Sequence, residues 1–233
     1  ILKALAEGGA DALELGIPYS DPIADGPTIQ QASIRALSHH IHPSDCLEVI
    51  RQFRDIYPDT PIGLLLYSNL VIKPGLDKFY TDAANVGVDS ILIADVPLRE
   101  ADRFIDAANQ TGIKQILIAP PNASDETLAE IGKKSQGYTY LLGRAGVTGA
   151  ETAATIPASE LIAKLTQYKV APPLLGFGIS KPEQVKEAIS AGAAGAISGS
   201  ATVNIIAQNL SQPKVMLTKL REFVSVMKQA TKK

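Results

Sequence analysis

The stretch ALELGIPYSDPIADGPT, residues 12–28, holds acids where the surrounding residues call for none. Glu14 lies within an apolar run, and Asp21 and Asp25 lie in the proline-rich loop that follows. Side chains alternate across a strand. Leu13, Leu15 and Ile17 therefore share one face, and Ala12, Glu14 and Gly16 share the other. The face with the large residues packs on a layer of helices, and the face with the small residues looks inward. A carboxyl held there without a cation has its pKa raised by desolvation. Such a group can give and take a proton near neutral pH. None of the seven apolar runs named below contains Lys or Arg, and Arg144, just after the fifth, is the nearest candidate cation. Asp21 or Asp25 could serve as a second acid; spacing alone does not choose between them.

A second chemistry lies at two glycine-rich strand ends. LLGFGIS (174–180) and AISGSA (196–201) place Gly176, Gly178, Gly199 and Ser200 where backbone N–H groups can approach an anion. A short helix from Ser200 would aim its N-terminus at the same point, and Ser180 and Ser200 add hydroxyls. Other chemistries lack their residues. His39, His40 and His42 cluster at one helix end and read as a solvated turn, which leaves no strand-end ligand set for a metal. No strand offers an inward Lys for a Schiff base. The expectation is acid–base chemistry without metal and without an evident covalent step, beside a loop pair of the kind that commonly holds a phosphate.

These residues need a scaffold that gathers strand ends. The apolar runs are ALELGI (12–17), IGLLLY (62–67), SILIAD (90–95), QILIAP (115–120), YTYLLG (138–143), PLLGFG (173–178) and AGAISG (194–199). They are nearly continuous, as strands covered on both faces should be. Helical patterns separate them, as in PGLDKFYTDAANVG, READRFIDAANQTG and SDETLAEIGKKS, with Gly87, Gly112 and Gly192 as stops. Two further helices are expected over 28–38 and 44–57, and two more from about 200 and over 212–231. The alternation predicts parallel βαβ units in an α/β architecture, a (β/α)8 TIM barrel. Seven of its eight strands are represented, and ILKALAEGGA at the start looks like the end of a helix. The expectation is one domain over residues 1–233 that lacks the first strand and most of the first helix. An open seven-stranded sheet is the alternative, and it would expose two apolar edges.

The bulk composition removes several partner classes. With 22 basic and 24 acidic residues the formal charge is −2, so no nucleic-acid partner is expected. The apolar runs are too short to span a bilayer, and no secretory signal is visible. The one cysteine, Cys46, reads as a small helix residue and suits a reducing compartment, with cytoplasm as the default.

ELGIPYSDPIADGPTIQ, PIGLLLYSNL, DSILIADVP, APPNA, GYTYLLGRAGVTGAE, GFGIS and AGAAGAISGSA resemble the tryptophan synthase α-subunit family, and the resemblance covers essentially the whole chain. It implies a lyase that cleaves indole-3-glycerol phosphate to indole and glyceraldehyde 3-phosphate without cofactor. By that resemblance Glu14 is the acid/base, and Asp25, not Asp21, faces the indole N–H. Tyr140 matches a pocket tyrosine near the acids. Leu65, Tyr67, Leu92, Ala94 and Phe177 would form the indole slot. Gly149, Gly178, Gly199 and Ser200 would hold the phosphate. GRAGVTGAETAAT (143–155) looks like a lid whose Thr148 contacts the catalytic loop. The implied partner is a pyridoxal-phosphate β subunit that receives indole in an α2β2 complex, docked at Pro18, Asp21, Asn69 and Pro97. Two rival expectations remain: a catalytically weakened barrel that mainly binds and activates the β subunit, and another phosphate-sugar barrel such as an epimerase.

Overall fold

The computed structural model describes residues 1–142, 158–176 and 178–232. Within them, seven Ile- and Leu-rich runs form β1 (Leu13–Gly16), β2 (Ile62–Leu66), β3 (Ser90–Ile93), β4 (Lys114–Ala119), β5 (Thr139–Leu142), β6 (Pro173–Gly176) and β7 (Gly195–Ala196). Spatial order follows chain order, and each neighbouring pair is parallel. Parallel neighbours need crossovers, and helices supply them. The helices are α1 (Leu2–Glu7), α2 (Pro27–Leu37), α3 (Pro43–Ile56), α4 (Ser68–Ile72), α5 (Leu76–Asn85), α6 (Asp102–Thr111), α7 (Asp125–Lys134), α8 (Ala158–Gln167), α9 (Pro182–Ser190), α10 (Ser200–Gln208) and α11 (Pro213–Gln229).

Strand parity sorts the side chains into two layers. Leu13, Ile62, Leu64, Leu66, Ile91 and Ile93 pack outward on Ile50 and Phe53 of α3, Phe79 and Tyr80 of α5 and Phe104 of α6. Leu117, Ala119, Leu141 and Leu175 do the same on α7, α8 and α9 through Leu128, Ile131, Leu161, Leu165 and Val185. The opposite parity forms an inner cluster in which Leu92, Ile116 and Tyr140 are buried and Leu65, Ala94, Ile118, Tyr138, Leu142 and Ile197 pack around them. The burial of both faces explains why these runs read as nearly continuous apolar sequence.

One contact shows that the sheet curls. The Tyr138 hydroxyl, just before β5, donates to Glu14 Oε1 of β1 at 2.5 Å. Four strand spacings in a flat sheet would separate these strands by about 19 Å, farther than the two side chains can bridge. The helix layer curls with the sheet. Met216 and Leu220 of α11 pack on Ala4 of α1, and Arg221 pairs with Glu7 at 2.6 Å.

Three features differ from expectation. β4 begins at Lys114, one residue earlier than its apolar run, so one strand does carry a lysine. Lys114 is exposed at the strand's entry and has no resolved effect on Glu14. Helix α4 and a 3₁₀ turn at Leu98–Glu100 occupy stretches expected to be loop. Asp95 explains α4: its carboxylate accepts from the Ser68 N–H at 2.7 Å and the Ser68 hydroxyl at 2.8 Å, tying down the helix start.

Close packing of the outer layer makes a specific prediction. Gly132 lies within α7, where Gly→Ala normally stabilises by about 1 kcal/mol. A Cβ there would sit 2.1 Å from the Tyr168 carbonyl oxygen, which follows α8. The clash should outweigh propensity, so Gly132→Ala is expected to lower stability by about 1–3 kcal/mol in urea unfolding. A variant as stable as the parent contradicts this packing.

Candidate active site

Glu14 sits on the inner parity of β1, level with Gly63 of β2. Gly63 in turn is level with Ser90 of β3. Burial pushes the Glu14 carboxyl up to about 7 from 4.5, and the hydrogen bond from Tyr138 draws it back only in part. No cation contributes to the shift among the described residues; Arg144 lies outside them. A group near 7 populates both protonation states at neutral pH, as an acid/base requires. Tyr138 had no motif to announce it. Its signal was parity: two residues before Tyr140, it shares the inward face.

Asp25 is buried, with only 7% of its surface exposed. Its N–H donates to the Pro22 carbonyl at 3.0 Å, and its own carbonyl accepts from Gln30 Nε2 at 2.8 Å. Burial raises the carboxyl's pKa, and a hydrogen bond from the Tyr67 hydroxyl opposes that rise. The same hydroxyl oxygen accepts from the Ala24 N–H at 3.1 Å. Tyr67 was expected as an apolar wall, but its polar end is committed to the Asp25 loop. The reason is position: Tyr67 caps α4 just beyond β2, where the loop after β1 passes.

Tyr140 joins the two acids. Its hydroxyl resists ionisation through burial first, then through the charges of Glu14 and Asp25. Leu65, Leu92 and Ala94 lie in the same inner cluster, as the slot reading requires. Gly176 serves this arrangement rather than an anion: a Cβ there would lie 2.3 Å from the Tyr140 hydroxyl. Phe177, Thr148, Gly149 and the whole 143–155 segment fall outside the described residues. A cavity of about 440 Å³ opens between the ends of β3 and β4 and helices α6 and α7, touching Ala94 but neither acid. Ile116 and Ile118 of the inner cluster also line it.

The two glycine ends do converge. The Ser198 hydroxyl donates to the Ile179 carbonyl at 2.7 Å, tying the loop after β7 to the loop after β6. Gly178 adopts a φ of +81°, which favours glycine. Ser200 opens α10, and among the described residues no atom lies within 4 Å of where a Cβ on Gly199 would sit. Ser180 departs from expectation, because Gln184 Oε1 accepts from its N–H at 2.8 Å and faces its hydroxyl at 3.3 Å. Pro18, Asp21, Asn69 and Pro97 follow the C-terminal ends of β1, β2 and β3 on one rim, with Asp21, Asn69 and Pro97 exposed.

The raised Glu14 pKa is also a stability statement. Between 4.5 and about 7 the folded chain holds a proton that the unfolded chain has released, so stability falls as pH rises through that window. At pH 8 the ionised, desolvated carboxylate should cost about 1–3 kcal/mol. Glu14→Gln is therefore expected to be more stable than the parent at pH 8 by about that amount, with the gain fading toward pH 5. Urea unfolding at the two pH values checks it; a variant less stable at pH 8 contradicts a desolvated Glu14.

Comparisons with known proteins converge on one family. The family model described as tryptophan synthase alpha chain matches residues 1–232. The tryptophan synthase alpha chain of Vibrio vulnificus (strain YJ016) is 59% identical over 233 residues, covering 100% of this chain and 87% of that protein. That of Francisella tularensis subsp. tularensis (strain FSC 198) is 58% identical over 231 residues, covering 99% and 86%. Among solved structures, subunit alpha from Legionella pneumophila str. Paris superposes with a TM-score of 0.86 at 34% identity, covering 99% of this chain and 85% of that one. A chain of the Pyrococcus furiosus tryptophan synthase α2β2 complex, solved as the structural basis of that complex's mutual activation, gives 0.85 at 34% identity, covering 98% and 89%. These neighbours share the curled parallel barrel with alternating helices seen here. The chain belongs to the tryptophan synthase alpha chain family.

Proposed function

We propose that the chain is the lyase component of a tryptophan synthase and cleaves indole-3-glycerol phosphate to indole and glyceraldehyde 3-phosphate. The observation that supports this most is Glu14: a carboxyl near 7, inside an apolar slot, in a chain of this family. The protonated Glu14 gives its proton to C3 of the indole ring. Positive charge then develops toward the ring nitrogen, and the Asp25 carboxylate stabilises it. The Glu14 carboxylate takes the proton of the hydroxyl on the adjoining side-chain carbon. That hydroxyl becomes the aldehyde, the carbon–carbon bond breaks, and its electron pair restores the aromatic ring. Glu14 ends protonated, as it began, so the cycle needs no cofactor.

Leu65, Leu92, Ala94 and Tyr140, with Phe177 and the Tyr67 ring, supply the indole slot in this reading. Gly178, Gly199 and Ser200, with Gly149, hold the phosphate, and Thr148 closes over it. The partner is a pyridoxal-phosphate β subunit in an α2β2 complex, seated on the rim that carries Pro18, Asp21, Asn69 and Pro97. No helix among the described residues is long and apolar enough to cross a membrane, and we assign the chain to the cytoplasm. The match over residues 1–232 favours the lyase over a barrel that only activates its partner.

Indole release from indole-3-glycerol phosphate, with and without β subunit, tests the proposal. Glu14→Gln is expected to lower kcat by about 10²–10⁴-fold. Asp25→Asn, which swaps an anion for an amide, is expected to lower it by about 10²–10³-fold. Near-parental turnover in Glu14→Gln overturns the acid/base assignment, and in Asp25→Asn it reduces Asp25 to a turn residue.

A further inference from the structure

Among the described residues, the first half of the loop that carries Asp25 is held mainly through Tyr19. Between Ile17 and Asp25, both buried, Ser20, Asp21 and Ile23 are exposed, and Ile23 keeps 76% of its surface. Tyr19 is the large side chain of this span that finds packing. Its ring stacks on Tyr67, with centroids 5.3 Å apart and planes 28° apart. Its hydroxyl oxygen accepts from Asn69 Nδ2 at 2.5 Å. Tyr67 and Asn69 flank Ser68 at the start of α4, which Asp95 holds by two hydrogen bonds and the fully buried Val71 roots in the outer layer. The Tyr67 hydroxyl meets both the Ala24 N–H and the Asp25 carboxylate. The contacts therefore run without a break from exposed Asn69 through Tyr19 and Tyr67 to Asp25.

We infer that Tyr19 is a positioning residue for Asp25, and that its bond to Asn69 ties the placement of that carboxylate to the exposed face of α4. Tyr19 clamps the loop against a fixed helix start, so that the Tyr67 hydroxyl meets Asp25 in one geometry. A ligand or protein covering Asn69 would act on the same clamp. The inference rests on the proposed function for its kinetic consequences, though not for its structural ones.

Two measurements test it. The first is kinetic, on indole release. Tyr19→Leu is expected to lower kcat by about ten- to a hundredfold with KM within about twofold, because a misplaced charge costs rate and not substrate binding. Tyr19→Phe keeps the stack and should recover most of that loss. Asn69→Ala is expected to lower kcat about two- to fivefold in the parent and to have no further effect in Tyr19→Phe, since both changes cut one hydrogen bond. Parental kcat in Tyr19→Leu, or an undiminished Asn69→Ala effect in Tyr19→Phe, overturns the inference. The second is hydrogen exchange at the Ala24 amide, expected to be faster by about tenfold or more in Tyr19→Leu. Unchanged exchange overturns the clamp whatever the activity. If Tyr19→Leu fails to fold, the Tyr19→Phe and Asn69→Ala cycle still decides. A parent chain that releases no indole overturns the proposed function alone, and the exchange result then stands by itself.

Discussion

A carboxyl on the inner face of a curled sheet is the constraint on which the rest of this molecule turns. Glu14 gains one short hydrogen bond from Tyr138 and loses its hydration. Of the two, desolvation is larger, so the group holds its proton to about 7. The hydrogen bond cannot form in a flat sheet, where β1 and β5 would lie too far apart to meet. Curling is therefore a condition of the chemistry as well as of the fold. The curl depends in turn on the outer layer, where α3, α5 and α6 grip one side and α7, α8 and α9 the other.

The two parities of each strand divide the work. Outward residues are mostly large, apolar and buried, with Gln115 and Thr139 as buried polar exceptions, and they carry stability through transfer from water and tight packing. Inward residues are mixed: tyrosines, small residues and one acid among the aliphatics. The inner face could be packed more tightly and more stably than it is. Gly176 shows the exchange, because its missing side chain leaves room for Tyr140. Tyr67 shows another, since its hydroxyl organises the Asp25 loop while its ring remains buried. Position on the strand decides which task a residue takes, because the C-terminal ends alone reach the mouth.

Strand order, helix placement and the inward face of Glu14 were legible in the sequence because two periods, 2 and 3.6, carry them directly. Ser124 illustrates how far local rules reach: it caps α7, accepting from the Thr127 N–H at 3.2 Å, and stands just before an acidic first turn. Other features depend on contacts distant in sequence. Tyr138 meets Glu14 across the ring, and no local pattern distinguishes it from any strand tyrosine. Helix α4 depends on Asp95, which follows the next strand, β3, 27 residues after Ser68. Ser180 was read for its hydroxyl alone, and spacing did not show that Gln184, one helical turn later, accepts from both its N–H and its hydroxyl. The choice of Asp25 over Asp21 also lay beyond spacing. Burial separates them: Asp25 is enclosed beside Tyr67, while Asp21 stays exposed with Ser20 as its partner.

The central claim is that Glu14 keeps its proton to near neutrality because burial on the inner face of the curled sheet strips its water. Carbon-13 NMR of the side-chain carboxyls reads this directly, with the Glu14 resonance assigned by its absence in Glu14→Gln. A titration midpoint of about 7 is expected. A midpoint near 4.5, that of a solvated glutamate, would contradict the account.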